Sequence, residues 1–156
     1  MAIEIERKFL ITAMDWKKDA QSSFYRQGYI FAEKKGVVRV RTTDNKGYLT
    51  IKSTPLGLQR QEYEFEIPLV DANNMLENLC ENYIIEKNRY KINYADHIWE
   101  IDEFTGDNKG LFLAEIELSD ENESFIRPPW IGKEVSHDPK YYNSNLSKKP
   151  YCQWEL

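Results

Sequence analysis

The sequence is poor in cysteine and histidine, and it contains no long apolar segment. Cys80 and Cys152 are far apart, and neither has a second Cys or His nearby at a spacing typical of zinc sites. The two histidines, His97 and His137, are predicted to lie at the surface. No apolar run approaches the roughly 20 residues of a membrane-spanning helix. These absences argue against a zinc protein and a membrane protein, and they favour a cytoplasmic one.

The chain also lacks a strong excess of charge of one sign. Its 21 basic and 26 acidic residues give a net charge of −5, which argues against general nucleic-acid binding but leaves room for a local cationic site. We find no internal repeat, linker or low-complexity tract. A length of 156 residues suits one domain, so we expect a single domain over 1–156.

What the sequence does contain is charge at alternate positions. Glu4, Glu6 and Lys8 would share one face of an extended strand, because successive side chains of a strand point to opposite faces. The same spacing recurs in later segments: Arg39 and Arg41; Arg60, Glu62, Glu64 and Glu66; Lys87 and Arg89; Glu100 and Asp102; Glu115 and Glu117. Whole strand faces therefore consist of carboxylates or cations. Such faces must meet water, ions or each other.

Alternation and β-rich composition predict eight strands, separated by short turn sequences. The predicted strands are 3–11, 25–32, 37–43, 47–53, 59–68, 84–93, 97–104 and 111–118. Short connections favour antiparallel pairing, and a sheet of this size tends to close so that no edge is left bare. The predicted fold is mainly β (α+β): an eight-stranded antiparallel closed β-barrel tunnel with a few covering helices.

Helices are predicted between some of the strands. One is expected over 14–24 and a stronger one over 71–83, with Asp71 as its N-cap. A third is expected to begin at Ser119 and to end at Pro128, because proline cannot continue a helix. The tail around 138–143 is expected to hold one more short helix.

The charged faces of such a barrel point either outward or inward. If they point outward, they form a solvated surface around an apolar core, and the protein is purely structural. If they point inward, the apolar positions between them are covered by helices, and the charges line a tunnel that is wide enough for one small ligand. Burying unpaired charges costs several kcal/mol, so such a tunnel requires water, metals or anions. Carboxylates bind hard cations such as Mg²⁺, whereas Arg and Lys bind phosphate oxygens, and together they predict a receptor for a metal-bound polyphosphate.

The ordered set of charged motifs resembles the CYTH superfamily, the triphosphate tunnel metalloenzymes, over almost the whole chain. The matching motifs are Glu4-x-Glu6-x-Lys8, Arg39-x-Arg41, Thr50-x-Lys52, Arg60-x-Glu62-x-Glu64, Lys87-x-Arg89, Glu100-x-Asp102, Glu115-x-Glu117, and Lys140 beside Tyr141 and Asn143. The chain is most similar to short bacterial members of the inorganic triphosphatase type. The resemblance implies an eight-stranded tunnel, a divalent metal (Mg²⁺ or Mn²⁺) and a substrate that carries a triphosphate.

The resemblance also implies roles for individual residues. The residues implied to bind phosphate are Lys8, Arg39, Arg41, Lys52, Lys87, Arg89 and Lys140. The implied metal ligands are Glu4, Glu6, Asp102, Glu115 and Glu117, and further candidates for the site are Arg60, Glu62, Glu64 and Glu100. Lys8 is also a catalytic candidate. Tyr29 is a hypothetical proton acceptor, on the condition that it lies beside Lys8, whose charge would favour the phenolate.

Fold membership does not fix the substrate. The leading hypothesis is hydrolysis of inorganic tripolyphosphate to pyrophosphate and phosphate. The enzyme alternatives are a class IV-type adenylate cyclase and a thiamine or nucleoside triphosphatase, and the alternative outside enzymes is a polyphosphate-binding sensor that has no turnover. The expected partner is a small triphosphate, with neither nucleic acid nor membrane. The oligomeric state is left open, with a homodimer as one alternative.

Overall fold

The computed structural model describes residues 3–18 and 20–155. Within them the chain forms nine strands, which we number in chain order: β1 Ile3–Ile11, β2 Ser22–Glu33, β3 Gly36–Thr43, β4 Lys46–Ser53, β5 Gln59–Ile67, β6 Glu81–Tyr94, β7 His97–Phe104, β8 Phe112–Glu117 and β9 Ile131–Glu134. The α-helices are α1 Leu69–Asn78 and α2 Asn143–Leu146. Short 3₁₀ turns lie at Asp15–Lys17, Gly106–Asn108, Pro139–Tyr141 and Tyr151–Gln153. No helix in this part of the chain is both long and apolar enough to cross a membrane.

The first eight strands close into a barrel. Their order is β5-β4-β3-β2-β6-β7-β8-β1, all neighbours are antiparallel, and β1 pairs with β5 to complete the ring. Glu4 lies opposite Arg60 at this closure. The predicted closed eight-stranded antiparallel barrel is confirmed. The ninth strand, β9, was not predicted, and it pairs with the far end of β1.

An apolar core lies outside the barrel wall, at the positions between the charged ones. Phe9, Trp99 and Ile116 are completely buried there. Trp130 and Phe125, from the segment that follows β8, stack edge-on against Trp99 with ring centres 5.8 and 5.7 Å apart. The apolar face of these strands is thus covered from outside, which leaves the opposite face for the lumen.

Two of the predicted helices were wrong. Within 14–24, of which position 19 lies outside the described residues, only Asp15–Lys17 are helical, and Ser22–Ser23 instead extend β2 by pairing with β6. The segment after Ser119 makes turns rather than a helix. There the backbone N–H of Ser119 donates to the carboxylate of Glu123, an alternative to helical hydrogen bonding.

The helix predicted over 71–83 exists but is displaced toward the N-terminus. It begins after Pro68, so Asp71 lies in the first turn rather than at the N-cap, and it ends at Asn78 because residues from Glu81 onward pair with β2. Its buried residues Ala72 and Leu76 pack on Val40 of the sheet. The helix lies so close to β4 that a Cβ at Gly47 would come within 2.6 Å of the Ala72 Cβ.

A second apolar cluster fills one end of the lumen. Ile85, Phe104 and Leu113 each lie two residues from a charged lumen position, so they share the inner face, and all are completely or nearly completely buried. Leu146 of α2 packs against them from the C-terminal segment; the short helix expected around 138–143 is the 3₁₀ turn Pro139–Tyr141, and α2 follows it. The lumen is therefore closed by apolar side chains at this end and carries its charges beyond them.

Candidate active site

The charged rows of the strands face one common cavity of about 220 Å³ inside the barrel. Fifteen of the predicted site residues line it: Glu4, Glu6, Lys8, Tyr29, Arg39, Arg41, Lys52, Arg60, Glu62, Glu64, Lys87, Arg89, Glu100, Glu115 and Glu117. The inward orientation of the charges is the geometry that a tunnel requires. The solvated outward arrangement does not occur for these residues.

Arg39 carries an unsatisfied donor in this cavity. Only 5 % of the residue is exposed, and its Nη2 donates to Thr50 Oγ1 at 3.2 Å and to Glu64 Oε2 at 3.4 Å. Its Nε is buried and has no hydrogen-bond partner among the described residues. An unpaired buried donor of a charged group is costly, and this atom is out of reach of a water-sized group, so an anion in the cavity would bond to it only after a shift of the Arg39 side chain.

Asp102 lies on the inner face of the barrel beneath Lys87 and Arg89, and it pairs with both cations. It is completely buried, and its oxygens accept hydrogen bonds from Lys87 Nζ at 2.7 Å and from Arg89 Nε and Nη2 at 2.7 and 2.9 Å. Burial by itself would raise the pKa of Asp102, but Arg89 and Lys87 outweigh it and lower this pKa to about 2. Burial lowers the pKa of Lys87 to about 7, because Asp102 is shared with Arg89 and compensates Lys87 only in part.

The acidic side of the cavity contains carboxylates that crowd each other. Glu4 is paired with Lys52 and Arg60, each with an N–O distance of 3.2 Å, and Glu115 lies 3.7 Å from the Lys8 ammonium. Glu6 has no ion pair of this kind among the described residues. Burial, and then the charges of Glu115 and Glu4, raise the pKa of Glu6 to about 8. Negative charge is therefore undercompensated in this corner.

This corner suits a hard divalent cation in its chemistry. Carboxylate oxygens are the ligands that Mg²⁺ and Mn²⁺ prefer, and a cation would supply the positive charge that Glu6 lacks. Among residues 3–18 and 20–155, no three Asp, Glu, His or Cys side chains already converge on a closed metal site. Mg²⁺ needs only one or two carboxylates, because it retains waters and binds substrate phosphates. The donor set fits such an ion.

Two predicted site residues do not line the cavity. Asp102 was expected to bind metal, but the structure places it behind Lys87 and Arg89, which occupy both of its oxygens. Lys140 was expected to bind phosphate, but it is exposed. Its Nζ stacks on the Trp154 ring, 4.9 Å from the ring centre, and this contact with the C-terminal segment holds Lys140 away from the cavity.

Tyr29 lies in the cavity wall but is not hydrogen-bonded to Lys8. Its hydroxyl accepts a hydrogen bond from Gln27 Nε2 at 3.2 Å. Lys8 Nζ instead donates to the Tyr141 carbonyl at 3.2 Å. Lys8, the cation that was expected to favour the Tyr29 phenolate, therefore has other partners in this structure.

Neutral amides that were not predicted connect the cations of the site. Gln27 is completely buried; its Oε1 accepts from Arg41 Nε at 2.8 Å, and its Nε2 donates to Asn143 Oδ1 at 3.1 Å. Asn143 Oδ1 also accepts from Lys87 Nζ at 2.9 Å. A prediction based on charged residues does not identify neutral residues such as these. Two signals pointed to Gln27 without giving it a role: its place two residues before Tyr29, on the same strand face, and the segment Arg26-Gln27-Gly28-Tyr29, which the resemblance to short bacterial members includes.

Comparison with known proteins agrees with this geometry. The model of the CYTH domain matches residues 2–150, nearly the whole chain. The chain belongs to the CYTH family. The resemblance drawn from its charged motifs is thereby confirmed.

Similar proteins cover this CYTH chain almost from end to end. An inorganic triphosphatase of Acetivibrio thermocellus is 54 % identical over 151 residues, which is 97 % of each chain. An inorganic triphosphatase of Nitrosomonas europaea is 36 % identical over 148 residues, or 92 % of this chain and 96 % of the relative. The crystal structure of the inorganic triphosphatase NE1496 superposes with a TM-score of 0.67 at 34 % identity, covering 94 % of this chain and 95 % of the other.

Proposed function

We propose that this CYTH protein hydrolyses inorganic tripolyphosphate to pyrophosphate and phosphate with the help of Mg²⁺ or Mn²⁺. The observation that carries the proposal is the lumen in which converging cations face crowded carboxylates. The full-length likeness to proteins named inorganic triphosphatase supports the same activity.

The size of the cavity favours a compact substrate. Its volume of about 220 Å³ lies below the roughly 300–1,000 Å³ of pockets that hold drug-sized ligands. Its wall consists mostly of charged side chains, and Tyr29 and Tyr142 are its two aromatic residues among the described ones. A bare triphosphate therefore suits it better than ATP or thiamine triphosphate.

The basic side chains bind the phosphate chain. Arg39 lines the cavity with its guanidinium group, as do Lys52 and Lys87, two lysines that are almost completely buried. In a cavity of low dielectric these charges interact strongly with phosphate oxygens. Asp102 and Asn143 hold Lys87 in place, so we assign Asp102 to orienting cations rather than to binding metal.

The carboxylates on the acidic side would hold the cation. They are Glu4, Glu6, Glu115 and Glu117. When bound, Mg²⁺ or Mn²⁺ neutralises phosphate charge and polarises a water. Lys8, which lies near Glu115, keeps positive charge between the acidic corner and the phosphate chain.

In the chemical step, a water oxygen bonds to the terminal phosphorus and the bridging P–O bond breaks, which releases pyrophosphate. The water gives up its protons to solvent and to the phosphate products. The role of the protein is to fix this geometry and to stabilise the charge that develops on the transferring oxygens. Arg39 and Lys52 are already held by neighbours, so they need little reorganisation at that moment.

A substrate panel tests the proposal. Tripolyphosphate, ATP and thiamine triphosphate are incubated with the protein and Mg²⁺ or Mn²⁺, and the products are identified by phosphorus NMR. We expect equal amounts of pyrophosphate and phosphate, with tripolyphosphate preferred, and loss of turnover in chelator. Cyclic AMP from ATP would indicate a cyclase, and tight binding without products would indicate a sensor. Arg39→Met should abolish turnover, whereas Arg26→Met, at a solvent-exposed position of β2, should not.

A further inference from the structure

Tyr25 of β2 lies within cation–π distance of two cavity arginines. The guanidinium carbon of Arg41 is 4.9 Å from the centre of its ring, and that of Arg89 is 5.0 Å from it. Strand β2 lies between β3, which carries Arg41, and β6, which carries Arg89. The ring is thus an aromatic surface shared by two like charges from opposite neighbours in the sheet.

The two arginines differ in how firmly the rest of the protein holds them. Arg89 forms two hydrogen bonds to Asp102 and one to Glu100. Arg41 donates to Gln27 through Nε, and neither of its Nη atoms has a hydrogen-bond partner in the described part of the chain. Both Nη groups of Arg41 are therefore available to an anion. The contact that fixes the head of this side chain, besides Gln27, is the Tyr25 ring.

The ring, rather than the hydroxyl, is the part of Tyr25 that makes these contacts. The Tyr25 hydroxyl has no hydrogen bond to any described residue. Tyr25 also lines a second, more open cavity of about 780 Å³, which it shares with Arg89, Lys46 and Lys91. Arg89 lines both cavities, whereas Tyr25 lines only the outer one.

We propose that Tyr25 is a positioning residue that holds Arg41 and Arg89 in the arrangement that binds the phosphate chain. This inference rests on the proposed function and adds a residue to it. Since the ring acts on groups that bind the substrate before and during reaction, its loss raises KM and leaves kcat nearly unchanged. A residue with a merely structural role would change the melting temperature without this selective effect on KM.

The test compares Tyr25→Leu with Tyr25→Phe and with Phe24→Leu, a matched control at the neighbouring outward position. KM and kcat are measured with tripolyphosphate, and Kd is measured by calorimetry with tripolyphosphate in chelator. For Tyr25→Leu we expect KM and Kd to rise about tenfold, the combined effect of two partly buried cation–π contacts, with kcat within about twofold. Tyr25→Phe should restore both constants, and Phe24→Leu should match the unmodified protein.

A second variant keeps the shape of the ring in case the leucine variant does not fold. Pentafluorophenylalanine at position 25 weakens the negative ring face and keeps its outline, so its Kd should rise relative to Tyr25→Phe. Equal Kd values for these two rings would overturn the inference, as would a Tyr25→Leu variant that behaves like Phe24→Leu.

The calorimetric measurement also separates this inference from the proposed function. It needs no turnover, so a protein that binds tripolyphosphate without releasing phosphate would refute the hydrolase and still test the ring at position 25. Absence of binding to the unmodified protein in chelator would overturn the inference alone, because the proposed function is judged by turnover with Mg²⁺ or Mn²⁺.

Discussion

Replacing Asp102 by Asn should destabilise the protein strongly. The substitution removes the negative charge shared by Lys87 and Arg89, whose nitrogens lie 2.7 to 2.9 Å from the carboxylate oxygens, and all three side chains are at most 9 % exposed. Breaking a buried ion pair on one side typically costs about 3–5 kcal/mol. In a protein of this length each kcal/mol lowers the melting temperature by about 2–4 °C, so we expect a fall of roughly 10 °C.

The assay is thermal unfolding at neutral pH in three conditions: the protein alone, with metal-free tripolyphosphate, and with Mg²⁺. Glu103→Gln serves as the control, because its pair with Lys17 at 2.9 Å is more exposed and is worth at most about 1 kcal/mol. In Asp102→Asn the two cations lack their partner, so tripolyphosphate should raise the melting temperature more than it does in the unmodified protein. If the variant melted within about 3 °C of the unmodified protein and lost only its response to metal, Asp102 would be a metal ligand and our assignment would be refuted.

Three further predictions follow from single features of the fold. Because the pKa of Lys87 is lowered to about 7, its ammonium loses its proton as pH rises through 7. Calorimetry in chelator should therefore show weaker tripolyphosphate binding at pH 8 than at pH 6. A Lys87→Met variant that kept this difference would contradict the prediction. The β6–β7 turn places Ala95 and Asp96 at φ of 47° and 67°, a backbone conformation that Asn-Gly adopts more easily. The double substitution Ala95→Asn with Asp96→Gly should therefore raise the free energy of unfolding, measured in urea, by about 1 kcal/mol. A decrease would argue against backbone strain in this turn. Gly47→Val should lower the free energy of unfolding by about 2 kcal/mol, because the new side chain would clash with the Ala72 Cβ. An unchanged urea midpoint would show that α1 can shift away from β4 at no cost.

The strands were predictable because their chemistry repeats at the period of a strand. Strands β1 and β7 have the predicted bounds, 3–11 and 97–104. In the sequence, charged residues for the lumen face alternate with apolar residues for the outer face, and this alternation identifies each strand. Strand β9 has four residues and includes Gly132, and its partner is the distant β1, so no local pattern marked it.

The helices were less predictable because tertiary contacts override weak local preferences. Trp16 is buried and its indole donates to the Ala13 carbonyl, which suits a turn against the outer core rather than a helix. Residues Ser22–Ser23 belong to β2 because β6 is long enough to pair with them. Neither contact can be inferred from the spacing of residues within 14–24.

The charged residues of the site could be predicted from the sequence, whereas most of its neutral residues could not. Charged alternation identified the lumen walls, but neutral members such as Gln27, Asn143 and Tyr25 resemble ordinary polar or aromatic residues in sequence. Lys140 was misplaced because its position depends on how the tail packs, with Trp154 under the ammonium group. Asp102 was found, but its burial behind two cations is a property of the folded barrel.

The central claim is that the charged lumen binds the triphosphate. A crystal structure of the protein with tripolyphosphate and a divalent cation tests it most directly. We predict phosphate density inside the barrel, with an oxygen within hydrogen-bond distance of the Arg39 guanidinium group and the cation beside Glu6 and Glu115. A lumen that contains only water, with tripolyphosphate bound at the outer surface, would contradict the account.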